Sequence, residues 1–310
     1  MSRILTLAAA QMGPVQRDHS RDDVVERLIH LLRQAAEQGA DVVAFPELAL
    51  TTFFPRWHVP LEDVEHYYET EMPNRYTKPL WDEAARLGVG FSLGYAWKQE
   101  DGRRFNAYHL VERDGRTVGV FRKVHIPGHV EHEPWRDFQH AERHYFEPGD
   151  DFPVWRAFGG LFGMAICNDR RWSETYRVMG LQGVEVILIG YNTPLHYAPD
   201  PTQNSLQAFH NHLVMQAGAY QNGTFVVGVA KGGVEEGVES LAHSAIVAPS
   251  GQIITQAVTT GDEVIVARVD LDLTNSYKQT LFHFDTYRIP QAYWRIGEQR
   301  GVVPPPEDSR

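Results

Sequence analysis

The amino-acid sequence predicts a layered α/β domain with mixed sheets. Two observations carry that prediction. Apolar strand-like runs alternate with amphipathic helical stretches along most of the 310 residues. Two turn signals, Asp114-Gly115 and Pro249-Ser250-Gly251, join neighbouring runs as antiparallel hairpins. Alternation alone would give a parallel sheet, and the hairpins make it mixed. No low-complexity linker or internal repeat divides the chain, so residues 1–290 are expected as one domain. Residues 291–310 carry Pro304-Pro305-Pro306 and then charged residues, and are expected as a disordered tail or an arm onto a partner.

Residues 4–11 are a near-continuous apolar run, the pattern of a strand covered on both faces. The run follows Arg3 and ends in small residues, as a secretion signal does. Its basic region is weak and its length minimal, so it reads as a first strand. Ser20 and Asp23 have the spacing of a capping box, with Asp in place of the usual Glu or Gln. Val24, Leu28, Leu31, Leu32 and Ala35 share one helical face, and Gly39 closes the helix. The next strand, 41–45, stops at Pro46-Glu47, which completes a crossover unit. Residues 51–72 are loop-rich; a helix over 76–87, a strand over 90–97 and hairpin strands over 105–111 and 117–122 follow. Residues 127–149 are polar, His-rich and irregular, with one short helix. A strand over 161–166 then delivers Cys167. The rhythm repeats as helix 173–181, strand 184–189, helix 203–220 and strand 224–230. Hairpin strands over 242–248 and 252–257 and a last strand over 263–269 complete the chain.

Lysine and arginine number 29 against 40 aspartates and glutamates, a formal net charge of −11. Nucleic acid and anionic membranes would be repelled and are not expected as partners. A small anionic substrate needs only a local cluster of arginines. The one cysteine, Cys167, permits no disulfide within the chain, and a reducing cytoplasm is the expected compartment. No apolar stretch approaches the roughly 20 residues that span a bilayer.

Three reactive side chains occupy the same context, the end of an apolar strand. Glu47 follows Val42-Val43-Ala44-Phe45-Pro46, Lys123 follows Val118-Gly119-Val120-Phe121-Arg122, and Cys167 follows Phe162-Gly163-Met164-Ala165-Ile166. Ligands in α/β folds collect at strand ends, so the three could converge. Each also has a plain structural reading: a buried small hydrophobe for the cysteine, a loop carboxylate, a solvated lysine. Their chemistry would fit together. A carboxylate can take the thiol proton, and a lysine can stabilise the thiolate and then a tetrahedral oxyanion, helped by the backbone N–H after the cysteine.

Phe45-Pro46-Glu47, Arg122-Lys123-Val124-His125 and Ile166-Cys167-Asn168-Asp169 resemble, in that order, the signature segments of the nitrilase superfamily. Longer blocks are similar to its N-carbamoyl-D-amino-acid amidohydrolase branch, among them the run from Phe45 through Trp57, Tyr145-Phe146-Glu147-Pro148-Gly149-Asp150 and Ile166-Cys167-Asn168-Asp169-Arg170-Arg171-Trp172. Gly190-Tyr191-Asn192-Thr193-Pro194, Met215-Gln216-Ala217-Gly218 and Tyr220-Gln221-Asn222-Gly223 extend the likeness. The resemblance implies a four-layer αββα sandwich, a catalytic Glu47–Lys123–Cys167 triad, no cofactor, and a homodimer or homotetramer. It implies a second glutamate beside the triad, at Glu142 in preference to Glu147. It assigns Arg170 and Arg171 to a substrate carboxylate, which arginine can bind bidentately, and makes Asn192 and Thr193 polar groups of the pocket. Asn168 would add its backbone N–H, and His125 and His140 would line the pocket or orient Lys123 and Glu142. The expected substrate is a small carboxylate-bearing carbamoyl compound. The chain departs from the pattern at Ser173, where the family has proline, which could loosen the helix that begins there.

Two rival readings were open. His125, His129, His132, His140 and His144 crowd twenty residues, and His140 and His144 have the i, i+4 spacing of zinc ligands. Pro127 and Gly128 break any helix through the earlier ones, and no metal is expected. An inactive scaffold that binds partners is the non-enzyme alternative, against which Glu47, Lys123 and Cys167 weigh.

Overall fold

The computed structural model describes residues 2–307. β1 (Ile4–Gln11) leads to α1 (Arg21–Glu37), where Ser20 and Asp23 make both bonds of the capping box, and then to β2 (Val42–Ala44). Two 3-10 turns, Phe54–Arg56 and Leu61–Tyr67, organise the loop-rich stretch before the short β3 (Tyr68–Glu69). α2 (Lys78–Leu87), β4 (Gly90–Lys98), β5 (Arg104–Val111) and β6 (Thr117–Arg122) follow. The His-rich stretch contains α3 (Glu142–Tyr145). A hairpin of β7 (Val154–Ala157) and β8 (Gly160–Ile166) precedes α4 (Ser173–Leu181), β9 (Val186–Tyr191), α5 (Gln207–Asn222) and β10 (Phe225–Ala230). A small hairpin, β11 (Gly232–Glu235) and β12 (Val238–Leu241), stands apart from the main sheets. β13 (Ala245–Val247), β14 (Ile253–Gln256) and β15 (Glu263–Asp270) complete the strands, before α6 (Leu273–Gln279), α7 (Phe284–Tyr287) and α8 (Trp294–Glu298).

The strands form two mixed sheets. One runs β15-β1-β2-β4-β5-β6 with β3 beside β4; the other runs β14-β13-β10-β9-β8-β7. At each centre three strands are parallel, β1, β2 and β4 in one sheet and β8, β9 and β10 in the other. The sheets stack face to face, β1 over β10, β2 and β4 over β9, and β5 over β8. Leu7, Ala44 and Tyr108 from one sheet and Met164, Leu188 and Val227 from the other share this core. α1 and α2 cover the outer face of the first sheet through Leu28, Leu31, Leu80 and Trp81. α4 and α5 cover the second through Tyr176, Met179, Met215 and Ala219. The result is the αββα sandwich, and because central strands are parallel, their carboxyl ends gather at one edge.

Two hairpins escape the sequence reading for one physical reason. The β7–β8 turn places Phe158 at φ 51° ahead of Gly159, and the β11–β12 turn places Glu236 at φ 51° ahead of Gly237. Such turns ordinarily show Asn or Asp at the first left-handed position. Helix 203–220 resolves into a 3-10 turn, Pro201–Leu206, capped by Asp200, followed by α5. Serine in place of proline does not loosen α4, which starts at Ser173 with the Thr175 N–H donating to the Trp172 carbonyl. Beyond α8 the chain is exposed coil through Pro304–Pro306, and residues 308–310 of the expected tail lie outside the described residues. Among the described residues no helix is long and apolar enough to cross a membrane.

Candidate active site

The carboxyl edge of the sandwich brings together side chains that lie far apart in the sequence, Glu47 and Asn192 being 145 residues apart. Glu47 follows β2, Lys123 follows β6, Cys167 follows β8, and Asn192 and Thr193 follow β9. The Pro46-Glu47 backbone passes between the two sheets against Gly94 of β4 and Gly190 of β9. A Cβ on Gly94 would lie 2.4 Å from the Pro46 carbonyl oxygen, and one on Gly190 2.7 Å from the Glu47 nitrogen. These two glycines make room for Glu47 to reach the other sheet.

Glu47, Lys123 and Glu142 are fully buried. Lys123 Nζ donates to Glu47 Oε1 at 2.8 Å and to Glu142 Oε2 at 2.5 Å. Glu47 Oε1 also accepts from Asn106 Nδ2 at 2.7 Å, and its Oε2 from the Asn192 N–H at 2.9 Å. Glu142 Oε1 faces His140 Nε2 at 3.0 Å. Two carboxylates thus share one ammonium, and their surroundings push them apart. Burial raises the Glu47 carboxyl, and Glu142 adds to the rise against the pull of Lys123. Glu142 is buried too, yet Lys123 and His140 outweigh burial and hold it below the usual carboxylate range. For Lys123, burial is overcome by the two glutamates, so it stays an ammonium. A pair of acids split in this way supplies one proton carrier and one fixed charge.

Cys167 lies at the strand end with φ 46°, a left-handed conformation that costs a non-glycine residue on the order of 1–2 kcal/mol. Asp169 secures the turn by accepting from the Ile166 N–H, the His125 N–H and His125 Nδ1. Sγ lies 3.7 Å from Thr193 Oγ1 and 4.0 Å from the Asn192 carbonyl. Burial, then Glu47, push the thiol up, while Lys123 and Arg170 pull it back.

Cys167 opens into a cavity of about 1100 Å³, also lined by Asn168, Arg171, Asn192, Thr193 and His140. Two expected contacts are placed elsewhere. His125 does not line the cavity: its ring stacks between Phe152 and Trp172, with Nδ1 on Asp169. Arg170 does not line it either, and its donors go to Asn211, Thr193 and Cys167. Adjacent side chains diverge from a turn, so of the two arginines Arg171 faces the cavity and Arg170 the interior. The crowded histidine rings take different partners. His129 faces the Glu131 carbonyl through Nδ1 and accepts from the His140 N–H through Nε2, His144 stacks on His58, and the His140 ring faces Glu142. Among the described residues no three His, Cys, Asp or Glu side chains are grouped to hold a metal ion.

Asn106 and Asp169 were not singled out from the sequence. Asn106 is one of two buried polar residues in β5, with His109, and a polar residue in an apolar run is its only sequence signal. Asp169 sat inside a quoted motif without a role. Arg56, also in the cavity wall, was read only as part of a matching block.

A carbon-nitrogen hydrolase family model matches residues 6–279. The chain is 26% identical to an N-carbamoylputrescine amidase of Solanum tuberosum over 287 residues, covering 89% of each. It is 26% identical to the omega-amidase NIT2 of Xenopus tropicalis over 280 residues, covering 87% of this chain and 88% of that one. Among solved structures it is similar to a carbon-nitrogen hydrolase from Helicobacter pylori G27, with a TM-score of 0.81, 21% identity and 96% and 99% of the two chains covered. An amidase from Nesterenkonia sp. AN1 superposes with a TM-score of 0.68 at 18% identity over 92% and 97%. The sandwich, the strand-end cluster and a family match from the first strand to α6 agree, and the chain belongs to the carbon-nitrogen hydrolases of the nitrilase superfamily, enzymes that hydrolyse carbon–nitrogen bonds.

Proposed function

We propose that this hydrolase cleaves N-carbamoyl-D-amino acids to the D-amino acid, carbon dioxide and ammonia, with Cys167 as nucleophile. The observation that carries the substrate class is Arg171, a cation on the cavity wall four residues from Cys167 whose one hydrogen bond among the described residues is to Gln207 Oε1 at 3.5 Å. A guanidinium there attracts a carboxylate beside the attacked carbonyl and repels an amine. That feature favours a carbamoyl amino acid over a carbamoyl amine such as the one in the name of the Solanum relative. The D configuration rests on the resemblance of the sequence blocks around Cys167 and Asn192.

Cys167 Sγ attacks the ureido carbonyl as its proton passes to Glu47. Lys123 and the Asn168 N–H, which in the first turn of a 3-10 helix has no acceptor within the helix, receive the oxyanion. The C–N bond breaks, ammonia leaves with the proton from Glu47, and an S-carbamoyl intermediate remains on Cys167. Water then adds to that carbonyl, giving its proton to Glu47, which returns it to sulfur as the C–S bond breaks. The released N-carboxy amino acid loses carbon dioxide. Glu142 stays ionised and holds Lys123. Asn192 Nδ2, buried and without a partner, is a spare donor for the substrate. A covalent adduct on an active-site cysteine, reported for the Nesterenkonia amidase with fluoroacetamide, supports the same role for Cys167.

The test is to incubate the protein with racemic N-carbamoyl amino acids and follow ammonia and the chirality of the product. D-product is expected, and Cys167→Ala should lower turnover by about 10⁴-fold or more. Arg171→Ala should raise KM for the carboxylate substrate roughly 10–100-fold, the worth of a charge-assisted bond, and leave a neutral amide little changed. L-product, or cleavage of simple amides alone, would overturn the substrate claim.

A further inference from the structure

A guanidinium withdrawn from water is costly unless it meets an anion. Arg170 is the largest fully buried side chain of the protein, 1% exposed. Yet its hydrogen bonds go to neutral groups and to sulfur. Nε donates to Asn211 Oδ1 at 2.9 Å, Nη2 to Thr193 Oγ1 at 3.0 Å, and Nη1 to the Cys167 carbonyl at 2.6 Å and toward Cys167 Sγ at 3.7 Å. The plane of the guanidinium is backed by Tyr191, whose ring centre is 4.3 Å from Cζ, and Asn211 Nδ2 bonds the Tyr191 hydroxyl at 3.1 Å. Arg170 does not line the cavity, whereas Thr193 and Cys167, which accept its hydrogen bonds, do.

We infer that Arg170 serves the nucleophile and not the substrate: it is the buried cation that faces the Cys167 thiolate from beneath the cavity and holds its left-handed turn in place. This rests on the reading of Cys167 as nucleophile. Among the described residues no carboxylate bonds Nη1, and the thiolate that forms on Cys167 during turnover lies within its reach. In the resting state Nη1 holds the Cys167 carbonyl, fixing the strained φ 46° from within the turn. Asn211 and Tyr191 fix the guanidinium in turn, so Cys167 is held from α5 and β9 as well as from its own strand. The charged groups acting on Cys167 are Glu47, Lys123, Arg170 and Glu142; those around Arg170 itself are Asp169 and Arg171, with the neutral phenols of Tyr176 and Tyr191 beside them.

Because Cys167 is the only cysteine, its alkylation by iodoacetamide, in which an S–C bond forms as iodide leaves, can be followed by mass as a function of pH. Removing the cation in Arg170→Gln should move the alkylation profile up by about one pH unit and slow the reaction at neutral pH about tenfold. kcat should fall for carboxylate and neutral amide substrates alike, with KM little changed. Arg170→Lys should restore most of the alkylation profile. Asn211→Asp, which sets a carboxylate on Nε and leaves the guanidinium in place, should move the profile in the same direction as Arg170→Gln, and it provides the measurement if the latter does not fold. An alkylation profile that stays put in these variants overturns the inference. So does a tenfold rise in KM confined to carboxylate substrates. Retention of activity by Cys167→Ala would instead remove the nucleophile itself, a separate outcome.

Discussion

Two buried ionic clusters, one around Lys123 and one around Glu235, have opposite balance. At the active site two acids, Glu47 and Glu142, share one base, Lys123. Beneath the loop of residues 51–57, two bases, Arg56 and Lys231, share one acid, Glu235. Glu235 accepts from Arg56 Nη2 at 2.6 Å, from the Phe53 N–H at 2.7 Å, from the Val15 N–H at 2.8 Å and from Lys231 at 3.2 Å. Burial would raise it, but Lys231 and Arg56 outweigh that and hold it below its ordinary value. Every member of this second cluster is bonded, and Lys231 also donates to the Thr51 carbonyl. An excess of base locks a carboxylate in one state, whereas an excess of acid leaves one carboxylate, Glu47, able to carry a proton. The same residue types therefore give a brace in one place and, in the mechanism we propose, a proton shuttle in the other.

The largest expected effect separates the clusters by function. Glu47→Gln should lower kcat by about 10²–10⁴, the usual worth of a general acid–base group, with little change in melting temperature. It removes a charge from the over-supplied side and keeps an acceptor for the Asn192 N–H. Glu235→Gln should do the converse. It leaves two buried cations without their anion and should cost about 3–5 kcal/mol in denaturant unfolding, while activity per folded molecule survives. If Glu235→Gln abolished turnover in fully folded protein, the division between brace and shuttle would fail.

A smaller effect lies in pH dependence. Glu47 must be ionised to take the thiol proton, and its pKa is raised, so the acid limb of kcat/KM should lie above the ordinary carboxylate range. Glu142 contributes to that rise, so Glu142→Gln should move the limb to lower pH as well as slow turnover. An unmoved limb would mean that another group sets it.

The smallest effect concerns acid stability. Glu235 has a lowered folded pKa, so its contribution is complete above its unfolded value near pH 4.3 and is lost as pH falls through the folded one. Below the folded value, wild type and Glu235→Gln should converge in stability.

Much of the site was legible because each of its main residues ends an apolar strand. Glu47, Lys123 and Cys167 could be picked from the runs before them, and the same runs specified the layers. Asn106 could not: a lone Asn inside β5 gains meaning only when β2 lies near enough for its amide to reach Glu47. Arg170 and Arg171 were indistinguishable as neighbours in a motif, since which one turns inward depends on Asn211 and Tyr191 across the fold. Glu235 lies in a hairpin whose turn residues carry no signal, 179 positions from Arg56.

By itself, then, the sequence determined the alternation of strands and helices, the cap of the first helix, and the three reactive strand ends. Periodicity, capping and turn chemistry act over a few residues and are written locally. Tertiary structure alone decided which carboxyl is raised and which is held down, which arginine faces the cavity, and how a single cysteine is held at a positive φ. Each of those depends on burial and on charges brought from distant strands, and neither exists until the two sheets have stacked.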